Sequence, residues 1–126
     1  MQCLAEPHDV QANRIFQMKR TTIVGNLGRD AECREAGGGH KFVTFIVAYA
    51  ERETSEKDEQ GNPVREPQWA ECEIYVKPEN SAQALVSLLT KGRHIYLEAY
   101  DKVSAWIDKN GEPRGKVTYR VTDFKV

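Results

Sequence analysis

A period of two runs through most of this chain, and it leaves room for little but strands. In "WAECEIYVK", residues 69–77, Ala70, Cys72, Ile74 and Val76 alternate with Trp69, Glu71, Glu73, Tyr75 and Lys77. One face of such a strand is small and apolar, the other charged and aromatic. In "RHIYLEAYDKVSAWI" the two sides are Ile95, Leu97, Ala99, Val103, Ala105 and Ile107 against Tyr96, Glu98, Tyr100, Lys102, Ser104 and Trp106, with Asp101 the exception that marks a bulge or bend. "GKVTYRVTDFKV" opposes Val117, Tyr119 and Val121 to Lys116, Thr118, Arg120 and Thr122. "KRTTIVGNL" is a β-branched run that Gly25 and Gly28 bend or end, and "HKFVTFIVAYAE" is entered through the turn glycines at 37–39.

Only "ENSAQALVSLLTKG" breaks the period. Asn80 or Ser81 is its cap, Ala82, Leu85, Val86 and Leu89 form one stripe, and Gly92 stands past the end, which predicts a short amphipathic helix. A long polar loop over 51–66 and a hairpin turn at 109–111 complete the punctuation. Three strands, a helix and two more strands, with long hairpin arms, suit an all-β fold: a five-stranded Greek-key barrel of the OB type with one short helix between strands 3 and 4. A five-stranded sheet packed on one helix would read almost the same.

With 126 residues, 40% hydrophobic and 29% charged, the chain has the size and balance of one domain with a single core. No apolar run approaches the roughly 20 residues that cross a bilayer, and "MQCLAEPHDVQANRIFQ" lacks the basic start and apolar stretch of a signal peptide, so a cytoplasmic protein without a membrane segment is expected. Cys3, Cys33 and Cys72 are odd in number and far apart, and His8, His40 and His94 share no ligand spacing, so neither a disulfide framework nor a metal site is predicted. Glycines 37–39 are not followed by "GK[ST]" and read as a hairpin turn, so no cofactor is expected. Net charge is −1, yet residues 1–90 hold 10 Lys and Arg against 14 Asp and Glu, whereas residues 91–126 hold 8 against 5. A polyanion would favour the C-terminal third.

Several longer stretches carry a resemblance. "TTIVGNLGRDAE" at 21–32, "VTFIVA" at 43–48, Trp69, "IYVK" at 74–77, "LLTKGRHIYLEA" at 88–99 and Trp106 before "DKNGEPR" resemble the bacterial single-stranded DNA-binding protein family in register from about residue 18 to 126. The resemblance implies an OB-fold domain over 18–126 that binds single-stranded DNA without sequence preference in replication, recombination or repair, usually as a homotetramer. It implies that Trp69, Tyr75 and Trp106 are stacking platforms. Tyr100 joins them as a candidate, and Lys77, Lys102, Lys109, Arg114 and Lys116 are candidates for the phosphates between. That accounts for large aromatics on a charged strand face. Residues 1–17 fall outside the resemblance and are expected to be a flexible leader, a strand at a subunit contact, or an upstream start.

The departures are equally specific. An aromatic that the family often carries at the end of the second strand is missing, the nearest residues being Tyr49 and Glu53. Glu71 and Glu73 stand between Trp69 and Tyr75, and the 51–66 loop carries six carboxylates against Arg52, Lys57 and Arg65, all of which should repel phosphate unless paired. The chain stops at Val126 without the linker and acidic tip through which family members recruit replication and repair proteins, so the expectation is a truncated piece or a member lacking that recruitment. "FVTFIV" is apolar on both faces, which predicts a surplus face buried in a homo-oligomer, a dimer at least and a tetramer by resemblance.

Two rival classes use the same residues. A nuclease would need Glu71, Glu73, Glu98 and Asp101 brought together around a metal, and no motif makes that claim, so no catalytic residue is assigned. A protein-interaction or assembly module with weak or no DNA binding would use the same tryptophans for protein contact.

Overall fold

The computed structural model describes residues 18–126; the leader expected over 1–17 lies outside the described residues. Six strands and one helix follow in the order β1 (Thr21–Leu27), β2 (Glu32–Gly37), β3 (His40–Lys57), β4 (Pro63–Val76), α1 (Ala82–Leu88), β5 (His94–Ile107) and β6 (Pro113–Lys125). They form one sheet in the order β1-β5-β6-β4-β3-β2, closed by a further β1–β3 pairing. Every pairing is antiparallel except β4–β6, which is parallel. This is the five-stranded OB barrel, with β1 and β2 as two halves of its first strand.

The split of that strand has a physical cause. β1 pairs with β5 along its length but meets β3 only at Asn26 and Leu27, after which β2 takes over the same edge from Glu32 opposite Thr44. The chain must cross close to β3 at this corner: a Cβ on Gly25 would lie 2.0 Å from the Ala48 carbonyl oxygen. β2 itself was not legible in the sequence, because all six of its residues are exposed and show no alternation.

The inward residues are those that the alternation predicts. Val43, Phe45 and Val47 of β3 face Ala70, Cys72 and Val76 of β4, with Ile95, Leu97 and Ala99 of β5 and Leu27 of β1 closing the core. Burial pushes the Cys72 thiol up to about 12, with the charge of Glu71 adding to it, so this cysteine is an inert core residue. α1 starts at Ser81, whose Oγ accepts from the Ala84 N–H at 3.3 Å. The carbonyl of Leu89, just past the helix, accepts from the Ala31 N–H at 2.9 Å and ties it across the barrel end.

Three expectations are corrected. The polar loop over 51–66 is mostly strand: β3 runs to Lys57 and β4 starts at Pro63, so the expected hairpin arm is paired out to Lys57 opposite Pro63, with register shifts between Ala48 and Ala50 and between Glu53 and Lys57. The irregularity foreseen at Asp101 lies between Glu98 and Ala99, where Thr122 of β6 is the extra residue and its hydroxyl donates to the Glu98 carbonyl at 3.2 Å. The apolar face of β5 is buried only as far as Ala99; beyond it β5 and β6 leave the barrel as a second arm, so Val103 is 71% and Ile107 66% exposed.

Both arms end in the same tip. In the first, Asp58 Oδ1 accepts from the N–H groups of Gln60 and Asn62, each at 2.9 Å; in the second, Asp108 Oδ1 accepts from Asn110 and Glu112, each at 2.9 Å. The Glu112 N–H, then the Arg114 guanidinium, hold the Asp108 carboxyl below its ordinary value of 3.8. A depressed folded value stabilises the turn above the ordinary value, and that contribution is lost as pH falls through the folded one. An NMR titration should therefore place the Asp108 midpoint below 3.8, with faster amide exchange at Asn110 and Glu112 once it is passed. A midpoint at or above 3.8 would mean that the capped turn does not form in solution.

Candidate nucleic-acid interface

Residues paired in register share a face, so the registers assemble one surface from four strands. On β3 and β4, Phe42 stands opposite Tyr75, Thr44 opposite Glu73, Ile46 opposite Glu71 and Ala48 opposite Trp69. The parallel pairing puts Thr118 and Arg120 of β6 beside Glu71 and Glu73. On β5, Tyr100 then pairs with Arg120, Lys102 with Thr118, Ser104 with Lys116 and Trp106 with Arg114. Trp69, Tyr75, Tyr100, Trp106, Lys102, Arg114 and Lys116 thus lie on one outer surface, the reverse of the strands whose other side is the core. All four rings keep accessible area: Trp69 47%, Tyr75 39%, Tyr100 45% and Trp106 46%.

Between the rings runs a groove of about 290 Å³, lined by Arg29, Arg34, Thr44, Ile46, Lys102 and Lys116 together with Glu71 and Glu73. Lys102 and Lys116, two of the candidates for phosphate contact, both line this groove. Arg114 is engaged instead by Asp108, at 2.8 Å, and Glu112, at 3.6 Å. Lys109 stands in the tip of the second arm, and Lys77 just past the end of β4, both outside the groove lining. Arg29, Arg34 and Arg120 were missed. Alternation alone puts Arg120 on the side of Lys116 and Thr118, but β2 carried no period by which Arg34 was readable.

The carboxylates that threatened this surface are mostly paired. Glu73 accepts two hydrogen bonds from Arg120, at 3.1 and 3.2 Å, with side chains only 15% and 21% exposed. The same guanidinium lies 4.6 Å over the Phe42 ring. Glu71 has only Lys116 at 3.9 Å, a loose and exposed pair that contributes little. In the first arm Arg52 pairs with Glu66, and Arg65 with Glu51 and Glu53 at 3.5 and 3.3 Å. Repulsion of phosphate on the groove floor therefore reduces to Glu71.

The apolar outer face of β3, for which a second subunit is the expectation, is partly covered within the chain. Phe42 lies under Arg120 and against Tyr75, and Ile46 lies in the groove. The carboxylates of a nuclease reading do not converge: Glu98 pairs with Arg20 at 3.0 Å and Asp101 with Lys19 at 3.8 Å, away from the Glu73–Arg120 pair. Among the described residues no group of three or more His, Cys, Asp or Glu is placed to hold a metal.

The Trp69 ring is positioned by an absence of side chain. A Cβ on Gly28 would lie 2.4 Å from Trp69 Cζ3 and 2.8 Å from Cη2, so the indole packs flush on the Gly28 backbone beside Ile46.

The model of the Single-strand binding protein family matches residues 18–126. Single-stranded DNA-binding protein 1 of Chlorobaculum tepidum is 28% identical over 110 residues, covering 86% of this chain and 64% of its own length. The single-stranded DNA-binding protein of Rickettsia typhi is 29% identical over 105 residues, covering 77% of this chain and 61% of its own. The chain thus spans less than two thirds of the length of these relatives. Among solved structures, a Plasmodium falciparum SSB complex with ssDNA superimposes with a TM-score of 0.63 at 17% identity, over 86% of this chain and 92% of the other, and so shares the fold.

Two substitutions test the local geometry. Gly28→Ala should push the Trp69 indole off its seat, changing its emission and acrylamide quenching in a Trp106→Phe background while the fold survives, since Gly28 is not at positive φ. An unchanged spectrum would show that the indole is not seated there. Glu73→Gln should lower stability on the order of 1–2 kcal/mol in denaturant unfolding, because it strands a half-buried guanidinium. An unchanged midpoint would mean that the pair is not formed in solution.

Proposed function

The chain belongs to the single-strand binding protein family, and from that premise we propose that it binds single-stranded DNA without sequence preference and without catalysis. The observation that carries this reading is the set of registers that brings Trp69, Tyr75, Tyr100 and Trp106 onto one face with the cations Lys102, Lys116, Arg29 and Arg34 between them. Every base has a π-face to stack, and every linkage has a charge to neutralise, so such a surface accepts any sequence. The protein serves replication, recombination or repair in the cytoplasm. It works as a homo-oligomer, a tetramer as in the family resemblance, through the outer face of β1 and β5, where Val24 is 48% and Tyr96 38% exposed.

An assembly or protein-interaction module remains as a second reading, favoured by the bare apolar side of the second arm at Val103 and Ile107. Titration with unlabelled oligo(dT) separates the two. Quenching of tryptophan emission, with affinity that falls as salt rises, is expected. Trp69→Ala and Trp106→Ala should each weaken binding by about 1–3 kcal/mol, and Lys102→Ala should flatten the salt dependence by about one counterion. No quenching and no mobility shift at low salt would leave the interaction module standing.

A further inference from the structure

Tyr75 does not stand alone at its end of the surface. His40 opens β3 two residues before Phe42 and so shares its outer face; because Phe42 pairs with Tyr75, His40 lies diagonally across from the phenol. His40 Nδ1 and the Tyr75 hydroxyl are hydrogen-bonded to each other. The ring centroids are 5.2 Å apart and the ring planes only 22° from parallel. A contact made through the hydroxyl, at the far end of the phenol, takes up most of that separation. The rings therefore lie side by side in nearly one plane, not one over the other. Phe42 braces Tyr75 in a T-shaped contact at 5.6 Å and 61°, and Phe42 is in turn held under Arg120.

We propose that His40 and Tyr75 form one two-ring platform and that His40 is itself a base-stacking residue of the nucleic-acid interface. The proposal rests on the single-stranded DNA reading above. A lone phenol covers only part of a base, whereas the imidazole beside it, its centre 5.2 Å away, extends the flat surface over which a base can lie. Stacking strength grows with the overlapped area, so His40 adds to the binding of every base at this end of the groove and adds most for the larger purines. The hydrogen bond between the rings fixes their relative orientation before any base arrives, which lowers the ordering cost of binding. Nothing in the rest of the site requires a ring at position 40; its flatness and its alignment with Tyr75 are what a stacked base would use.

The test combines affinity with a ring-current signature, both on the full chain at one fixed pH. His40→Leu is expected to weaken oligo(dA) binding about five- to twentyfold and oligo(dT) binding less, and His40→Phe to restore oligo(dA) affinity to within about threefold of wild type. In wild-type protein the imidazole ring protons of His40, assigned by their loss in His40→Phe, should move upfield when oligo(dA) binds, which a merely structural histidine would not do. Wild type that binds DNA while His40→Leu binds equally well, or while those protons stay in place, overturns the platform and leaves DNA binding intact. Wild type that binds neither oligonucleotide overturns the functional reading and the platform together.

Discussion

The parallel contact between β4 and β6 is the joint on which the rest of this molecule depends. It is short, pairing only Glu71 with Thr118, Cys72 with Tyr119 and Glu73 with Arg120, and parallel ladders are slightly weaker per residue than antiparallel ones. Here it is secured from both sides. Inside, Cys72 is packed in the core; outside, Arg120 crosses the joint to Glu73 and covers Phe42 of the neighbouring strand. Without that joint, β3–β4 and β5–β6 would be linked only through β1, and the groove face would be open. With it, they enclose the groove, and the two arms project from the same closed barrel.

The joint also explains how an acidic chain presents a cationic groove. Net charge is −1, and a balance of that kind says nothing about where charges meet. In the first arm Glu51, Glu53 and Glu66 pair with cross-strand arginines and Asp58 caps its turn, Glu73 is neutralised by Arg120, and Asp108 and Glu112 engage Arg114. What remains along the groove is Arg29 and Lys102, with Arg34 loosely paired to Glu32 and Lys116 loosely paired to Glu71. Cross-strand pairing has sorted the charges by neighbour, so the field that a polyanion meets is set by a handful of groups rather than by the sum.

The same strands serve two purposes with opposite faces. Even-numbered residues of β3 from 42 to 48 face outward, odd-numbered residues from 43 to 47 inward, and the period of two in β4 does the same. An outward ring such as Trp69 can therefore be set on a strand without drawing on the core, and Gly28 completes its seat by leaving room for the ring. Each arm continues its two strands past the point where the barrel can bury them, which is why Val103 and Ile107 lie in solvent although they extend the stripe of Ile95 and Leu97.

What the sequence by itself determined was local: which residues alternate, where the helix starts at Ser81, where turns interrupt the strands, and that Trp69, Tyr75, Trp106 and Lys102 occupy outward positions. Those follow from the two-residue repeat of a strand and from capping chemistry, which depend on near neighbours only. The tertiary structure decided which outward positions face one another. Arg120 stands 47 residues from Glu73 in the chain, and Tyr75 stands 35 from His40; no local period relates such pairs. A slip of one residue in any register would have turned these side chains to the other face. The registers were fixed by the packing of Val43, Phe45, Cys72 and Leu97 inside the barrel, so the outer surface inherits its arrangement from the core beneath it.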